Sequence, residues 1–419
     1  MVAARRAGLL EPATAPMSAP TTRTVLWLVP GVYFVFVAAE FAAMTHLALQ
    51  ATAAGRSALA VGLLATALWS GILLSSLRAH AFVQRWGHGA VFVGATVLSL
   101  LATLSLALHA QFALWCAGVF VLGLGGGLVW VAGEAWLAES APPDRRGFFV
   151  GLFETAVGLG LMTGPALVPL SRWMQWSPLW LSALLMALAL LASLRLRGVA
   201  TADAGASAAA DGPAAAELAM ARASAWRAVA LPLAGIAVVS GLMESGVSSL
   251  MPSVSMRLGF TLDAAAWLGA VIGAGSALLQ PPAGHLADRW GVRRAALTAW
   301  ALVALANVVL LWWASEPATV LWGVGFVLGG VGGAVYTLMI VELGHRLGGV
   351  ALVKAIALLV TGYALGTAIG PVLGGIVFDA AGLRGLALLL LLLALVGWGV
   401  TRRSLRPAAA SAAITPAGV

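Results

Sequence analysis

Residues 120–130 read FVLGLGGGLVW, and residues 326–336 read FVLGGVGGAVY, the same pattern 206 positions on. GLMTGP at 160–165 returns as GTAIGP at 366–371, again 206 apart, and Arg85-Trp86-Gly87 returns as Arg289-Trp290-Gly291 at 204. One such match would carry little in a chain with 50 glycines; three at nearly one offset make an internal repeat. Both quoted stretches are apolar throughout, so the repeated unit is built to be buried along its whole length.

The rest of the 419-residue chain has the same character. Apolar residues make up 61% and charged residues 9%, against about 25% charged in an ordinary soluble domain. So few charges cannot cover a water-facing surface, which excludes a soluble enzyme, a disordered chain and a disulfide scaffold. The solvent over most of the surface must be lipid. The one cysteine, Cys116, allows no internal disulfide.

A helix rising 1.5 Å per residue needs about 20 apolar residues to cross roughly 30 Å of hydrocarbon. Twelve stretches qualify: 24–50, 57–78, 89–109, 112–138, 147–170, 177–196, 228–252, 264–286, 295–314, 317–341, 350–378 and 381–401. They are continuous rather than alternating, which excludes a strand barrel. The expectation is an all-α membrane protein of two six-helix bundles, 24–196 and 228–401. Residues 197–227 form a cytoplasmic linker, partly helical, and 1–23 and 402–419 form tails. An even number of spans per repeat relates the two bundles by an axis along the membrane normal, with a cavity between them. Residues 1–22 carry Arg5, Arg6 and no long apolar core, so they read as a tail rather than a cleaved signal peptide.

Orientation follows from Lys and Arg in the short loops. With the N-terminus in the cytoplasm, Arg56, Arg172, Arg257 and Arg384 fall outside and the other 19 of the 23 Lys and Arg fall inside. The net charge of +8 is therefore a positive-inside signature of an inner-membrane protein, not a nucleic-acid patch.

Gly284-His285-Leu286-Ala287-Asp288-Arg289-Trp290-Gly291-Val292-Arg293-Arg294, between spans 8 and 9, resembles the signature loop of the major facilitator superfamily. The equivalent loop between spans 2 and 3 is degraded: His80 and Gln84 replace the Gly and Asp, and His88-Gly89 replaces the basic pair. Gly366, Gly370, Pro371, Gly374 and Gly375 resemble the family's glycine-proline helix-packing motif, partly copied at Gly160, Gly164 and Pro165. Pro142, Arg145, Arg146 and Gly147 resemble its loop between spans 4 and 5, and 129–154 is similar to the little-characterised YcaD-like branch. The resemblance implies alternating access, with spans 1, 4, 7 and 10 lining a central cavity. Many antiporters of that family carry an Arg in span 4; the matching position here is Val119.

A charge at the centre of a span costs about 2.5–3.5 kcal/mol on insertion scales, so each one needs a reason. Glu40 and Glu244 each lie about 16 residues into a span, 204 apart, so the repeat makes them equivalent. Two acids facing one low-dielectric cavity favour proton uptake. The other reading is that they are structural acids hydrogen-bonded to Ser or backbone. Trp130 and Tyr336 are matched residues of spans 4 and 10, and Tyr33 lies two turns from Glu40 on one face. Carboxylates beside aromatic faces suit an amphiphilic cation; packing or lipid-facing aromatics are the alternative. No Lys or Arg lies at mid-depth of any span, which disfavours a purely anionic substrate.

Glu134, Glu139, Glu154, Glu342, His345 and Arg346 fall near the cytoplasmic ends of spans, and Lys354 snorkels. With Arg85, Arg145, Arg146, Asp288 and Arg289 they read as a salt-bridge layer. It either latches a gate or is merely structural. The six His have no metal spacing, and no nucleotide-binding or hydrolase motif is present, so neither cofactor nor metal is expected. The function expected is secondary transport of a small organic compound by a monomer in the lipid bilayer, coupled to protons, with export of an amphiphilic compound favoured. Proton-coupled uptake of a small metabolite is the alternative within that class, and a non-transporting receptor or scaffold the alternative outside it.

Overall fold

The computed structural model describes residues 20–142, 146–197, 213–313, 317–347 and 349–405, and they are almost wholly helical. The helices are α1 (Pro20–Ala53), α2 (Ala58–Trp86), α3 (His88–Leu108), α4 (Phe112–Ser140), α5 (Arg146–Trp173) and α6 (Pro178–Ser193), the last closed by a 3-10 turn at Leu194–Leu196. They continue as α7 (Pro213–Arg257), α8 (Leu262–Trp290), α9 (Val292–Trp312), α10 (Pro317–Arg346) and α11 (Gly349–Ser404). All eleven contain windows long and apolar enough to cross a membrane.

Twelve apolar stretches thus become eleven helices, and the difference lies in α11. Its 56 residues are too long for one crossing, and it turns back at Gly382, where φ is 61° and ψ −157°. Only glycine takes that conformation without strain. The two limbs of α11 are the eleventh and twelfth spans. Helix α7 extends back to Pro213, so the linker residues 213–227 are helical and continuous with the seventh span. Residues 1–19, 198–212 and 406–419 lie outside the described residues, whereas the inner ends of both expected tails, 20–23 and 402–404, are helix.

The repeat is visible in how the chain is punctuated. Gly55 and Gly259, 204 apart, have φ of 75° and 99°; Gly87 and Gly291, also 204 apart, have φ of 78° and 81°. Ser57 caps α2 by accepting from the Ala60 amide at 3.1 Å, and Thr261, 204 later, caps α8 by accepting from Ala264 at 3.2 Å. The same local chemistry starts and stops the same helix in both bundles.

The inner ring is α1, α2, α4, α5, α7, α8, α10 and the first limb of α11. Helices α3, α6, α9 and the second limb of α11 stand outside it and expose Leu101, Leu188, Leu191, Leu305, Leu392 and Leu395 among others. On a soluble protein such patches would aggregate; here they are the lipid face. Within each bundle the glycine-proline motif sets close approach. A methyl group at Gly160 or Gly164 would strike α1 at Val37, Ala38 or Phe41, and one at Gly366 or Gly370 would strike α7 at Val238 or Leu242. Gly374 packs on Leu250, and Gly375 on the start of α2.

Candidate functional site: a carboxylate and aromatic cavity between the bundles

The ring surrounds a central cavity of about 110 Å³ that is partly open to the exterior. Tyr33, Glu40, Trp130, Glu244 and Tyr336, all singled out in the sequence, line this one cavity. Both members of each repeat pair, Glu40 with Glu244 and Trp130 with Tyr336, therefore meet around it. Ser248 also faces the cavity, whereas Ser240 is buried and donates to the Gly332 carbonyl at 3.0 Å.

The two acids are held differently. Glu244 Oε2 accepts a hydrogen bond from the Tyr363 hydroxyl at 2.9 Å. Glu40 is 5% exposed, and its Oε1 lies against Gly126 with no hydrogen-bond partner. The indole Nε1 of Trp130, one turn along α4 from Gly126, is also buried without a partner. Rings complete the wall. Tyr33 stacks on Phe153 at 4.3 Å, Tyr336 meets Tyr363 at 4.4 Å, and Trp69 meets Tyr363 edge-on at 6.5 Å. No Lys, Arg or His is among the described residues that line it.

Three residues at this site were outside the candidate set. Tyr363 and Trp69 sit on α11 and α2, helices not expected to line the cavity. Glu154, expected among the acids at the cytoplasmic ends, faces the cavity instead and interacts electrostatically with Glu134. One signal in the sequence pointed to Tyr363. The chain has only three tyrosines, against 13 phenylalanines and 17 tryptophans, and all three line this cavity. A hydroxyl is the one feature that makes Tyr costlier than Phe in a lipid-buried helix, so Tyr marks where polarity is wanted.

The two ends of the molecule differ. At the end opposite the 198–212 connection, here called the far face, polar ties join the bundles. Asp379 accepts from the Ala58 and Leu59 amides of α2, both at 2.8 Å; Arg172 Nη1 lies 2.6 Å from Asp263 Oδ1; and Arg257 donates to the Arg56 carbonyl. Somewhat deeper, Thr66 donates to the Ala368 carbonyl at 2.6 Å. At the connection end, among the described residues, the polar contacts of the expected layer stay within one bundle. Glu342 pairs with Arg346 on α10, and Glu139 lies 3.7 Å from His88. Arg85 lies over its neighbour Trp86, and Asp288, Arg289 and Arg294 are exposed. Arg293 has a buried Nε without a partner, and Gly284 has open space around it. Arg145 lies outside the described residues, and Arg146 is the first residue of α5.

A twelve-span helical fold of two matched bundles around a central cavity lined by carboxylates and aromatic rings is the architecture of a membrane transporter. Residues 31–260 and 233–416 match the Major Facilitator Superfamily, so together the two matches span nearly the whole chain. The chain belongs to that superfamily. It is 26% identical over 313 residues to the uncharacterized MFS-type transporter YE1530 of Yersinia enterocolitica, covering 74% of this chain and 78% of that one. It is 25% identical over 321 residues to the uncharacterized MFS-type transporter YfkF of Bacillus subtilis, covering 77% and 80%. Among solved structures, a bacterial homolog of the human lysosomal transporter Spinster, in its inward-facing and occupied conformation, superposes with a TM-score of 0.75 at 14% identity, covering 92% of this chain and 97% of that one. The protein is a multi-pass membrane protein and a secondary transporter by family, not an enzyme.

Proposed function

We propose that this transporter exports amphiphilic organic cations in exchange for protons, with both termini in the cytoplasm. The observation that carries this reading is the cavity wall. Glu40, Glu154 and Glu244 stand among six aromatic side chains, with no basic side chain among the lining residues described. Carboxylates in low dielectric attract a cation strongly, and aromatic faces add about 0.5–2 kcal/mol per cation–π contact. Loop charge supports the orientation: Arg56, Arg172 and Arg257 are on the far face and the Asp288–Arg294 loop is on the other. On that orientation the far-face ties close the outside, and the cavity's next opening is to the cytoplasm. Proton coupling then requires only an acid that binds a proton or the cargo, each in turn exposed to one side.

Glu244 is the proton carrier in this scheme, and Tyr363 fixes its carboxylate at the wall. The test uses purified protein in liposomes with an imposed pH gradient and ethidium as the cargo. The wild type should move ethidium against its gradient with counterflow of protons. Glu244→Gln should lose pH-driven accumulation yet keep ethidium binding and exchange. Undiminished coupled proton flux in Glu244→Gln moves the carrier role to another acid. Binding of organic anions in preference to cations overturns the reading.

A further inference from the structure

The two equivalent acids are unequal, and the inequality says what a substrate must carry. Tyr363, which donates to Glu244, has Val157 as its counterpart 206 positions earlier. Val157 lines the same cavity but has no hydroxyl. Glu40 Oε1 is thus left as a buried acceptor with no donor, although buried side-chain polar atoms almost always have one. Four residues from Gly126, against which Glu40 Oε1 rests, Trp130 presents the opposite vacancy, a buried N–H with no acceptor. Residues i and i+4 share a helix face. An unmet acceptor and an unmet donor therefore flank one turn of α4 at the cavity wall. They do not satisfy each other, and no basic side chain described there reaches either.

Resting on the cation reading above, we propose that Glu40 is the anchor for a protonated amine. The substrate carries an N–H⁺ donor for Glu40, and near it an ether or carbonyl oxygen that accepts from the Trp130 indole. The Tyr33 ring, two turns before Glu40 on α1 and stacked on Phe153, supplies the apolar side of the same pocket. The division of labour follows: Glu244, already supplied with a hydroxyl, handles the proton, and Glu40, left without one, selects the cargo. An ammonium hydrogen bond to a carboxylate is charge-assisted, whereas a quaternary ammonium offers charge without a donor and leaves the acceptor unmet. The resulting discrimination is about 10-fold, the size expected when a buried acceptor loses its donor.

The experiment measures calorimetric binding to the full chain in lipid nanodiscs, at a pH where the amine is protonated. The probes are diphenhydramine, which has a tertiary amine and an ether oxygen, and its N-methyl quaternary analogue. The wild type should prefer the tertiary amine about 10-fold. Glu40→Ala should bind both weakly and equally. Trp130→Phe keeps the ring but not the N–H; it should weaken both compounds together and leave their ratio intact. Equal binding of the two by the wild type, or a preference that survives in Glu40→Ala, overturns the anchor and leaves the cation reading standing. Binding of neither compound overturns both.

Discussion

Arg172 Nη1 lies 2.6 Å from Asp263 Oδ1, joining α5 to α8 across the two bundles at the far face. Both side chains are about half exposed, so this pair by itself contributes little, about 0.2–1 kcal/mol. The tie between α11 and α2 does more. Asp379 takes the first two amides of α2, while Ser57 takes the Ala60 amide, so the N-terminus of α2 is satisfied jointly by its own cap and by the opposite bundle.

Asp379→Ala removes both acceptors and a favourable charge at a helix N-terminus, a loss of about 0.5–2 kcal/mol. The balance between far-face-closed and far-face-open states should shift by about 2- to 30-fold toward open. In a Cys116→Ala background, Ser248→Cys on the cavity wall reports this through its labelling rate with an impermeant thiol reagent added from the far face. Asp263→Ala should accelerate labelling less than Asp379→Ala does.

The Asp288 loop keeps the superfamily pattern, whereas its counterpart has Gln84 in place of the acid. In this state Asp288 is exposed, at the end where the contacts of the expected layer stay within one bundle. The gate reading therefore assigns Asp288 to the opposite state. Asp288→Asn should therefore leave the melting temperature of this state within about 0.5 kcal/mol equivalent of wild type. It should slow transport in liposomes several-fold more than Gln84→Ala at matched protein levels. Equal slowing by both would remove the asymmetry.

Helices α5 and α8 touch at mid-cavity depth through backbone. A methyl group at Gly273 would strike the Leu161 carbonyl and the Met162 amide, atoms that cannot rotate away. Gly273→Ala should cost about 1–3 kcal/mol by overpacking and should pry the bundles apart. Gly235, also in a helix, has nothing within 4 Å of the added methyl. Gly235→Ala should be neutral or stabilising by up to about 1 kcal/mol. Thermal unfolding in one detergent distinguishes the two.

Glu154 shares the cavity with Glu40 and Glu244, and its repulsion from Glu134 has no cation among the lining residues to offset it. Glu154→Gln keeps the shape and removes one like charge. The empty protein should become more stable by about 0.5–2 kcal/mol, at the expense of cation affinity. Melting curves with and without diphenhydramine should show a higher starting temperature and a smaller ligand-induced rise.

The fold was legible because a membrane leaves so few options. Once FVLGLGGGLVW and FVLGGVGGAVY were seen to be one pattern 206 residues apart, the spans, their pairing and the position of Glu40 opposite Glu244 followed. What blurred was the end of the chain. Gly382 is one of 50 glycines, and nothing in its neighbours marks it as the residue with φ at 61° where one apolar run doubles back. Glu154 blurred for a related reason. Counting residues from a loop gives depth along a helix, but whether an acid turns toward the cavity depends on the rotation of α5 against its neighbours.

The sequence by itself determined that lipid is the solvent, that the chain crosses it twelve times in two matched halves, and that two acids lie deep at equivalent heights. Hydrophobic length, loop charge and repetition are one-dimensional properties, and they survive without knowledge of contacts. Only the tertiary structure decided that Tyr363 serves Glu244 while Val157 leaves Glu40 unserved, and that Asp379 caps a helix 320 residues away. A hydrogen bond needs its partners within about 3 Å and aligned, and residues so far apart in the chain are brought together only by the packing of whole helices.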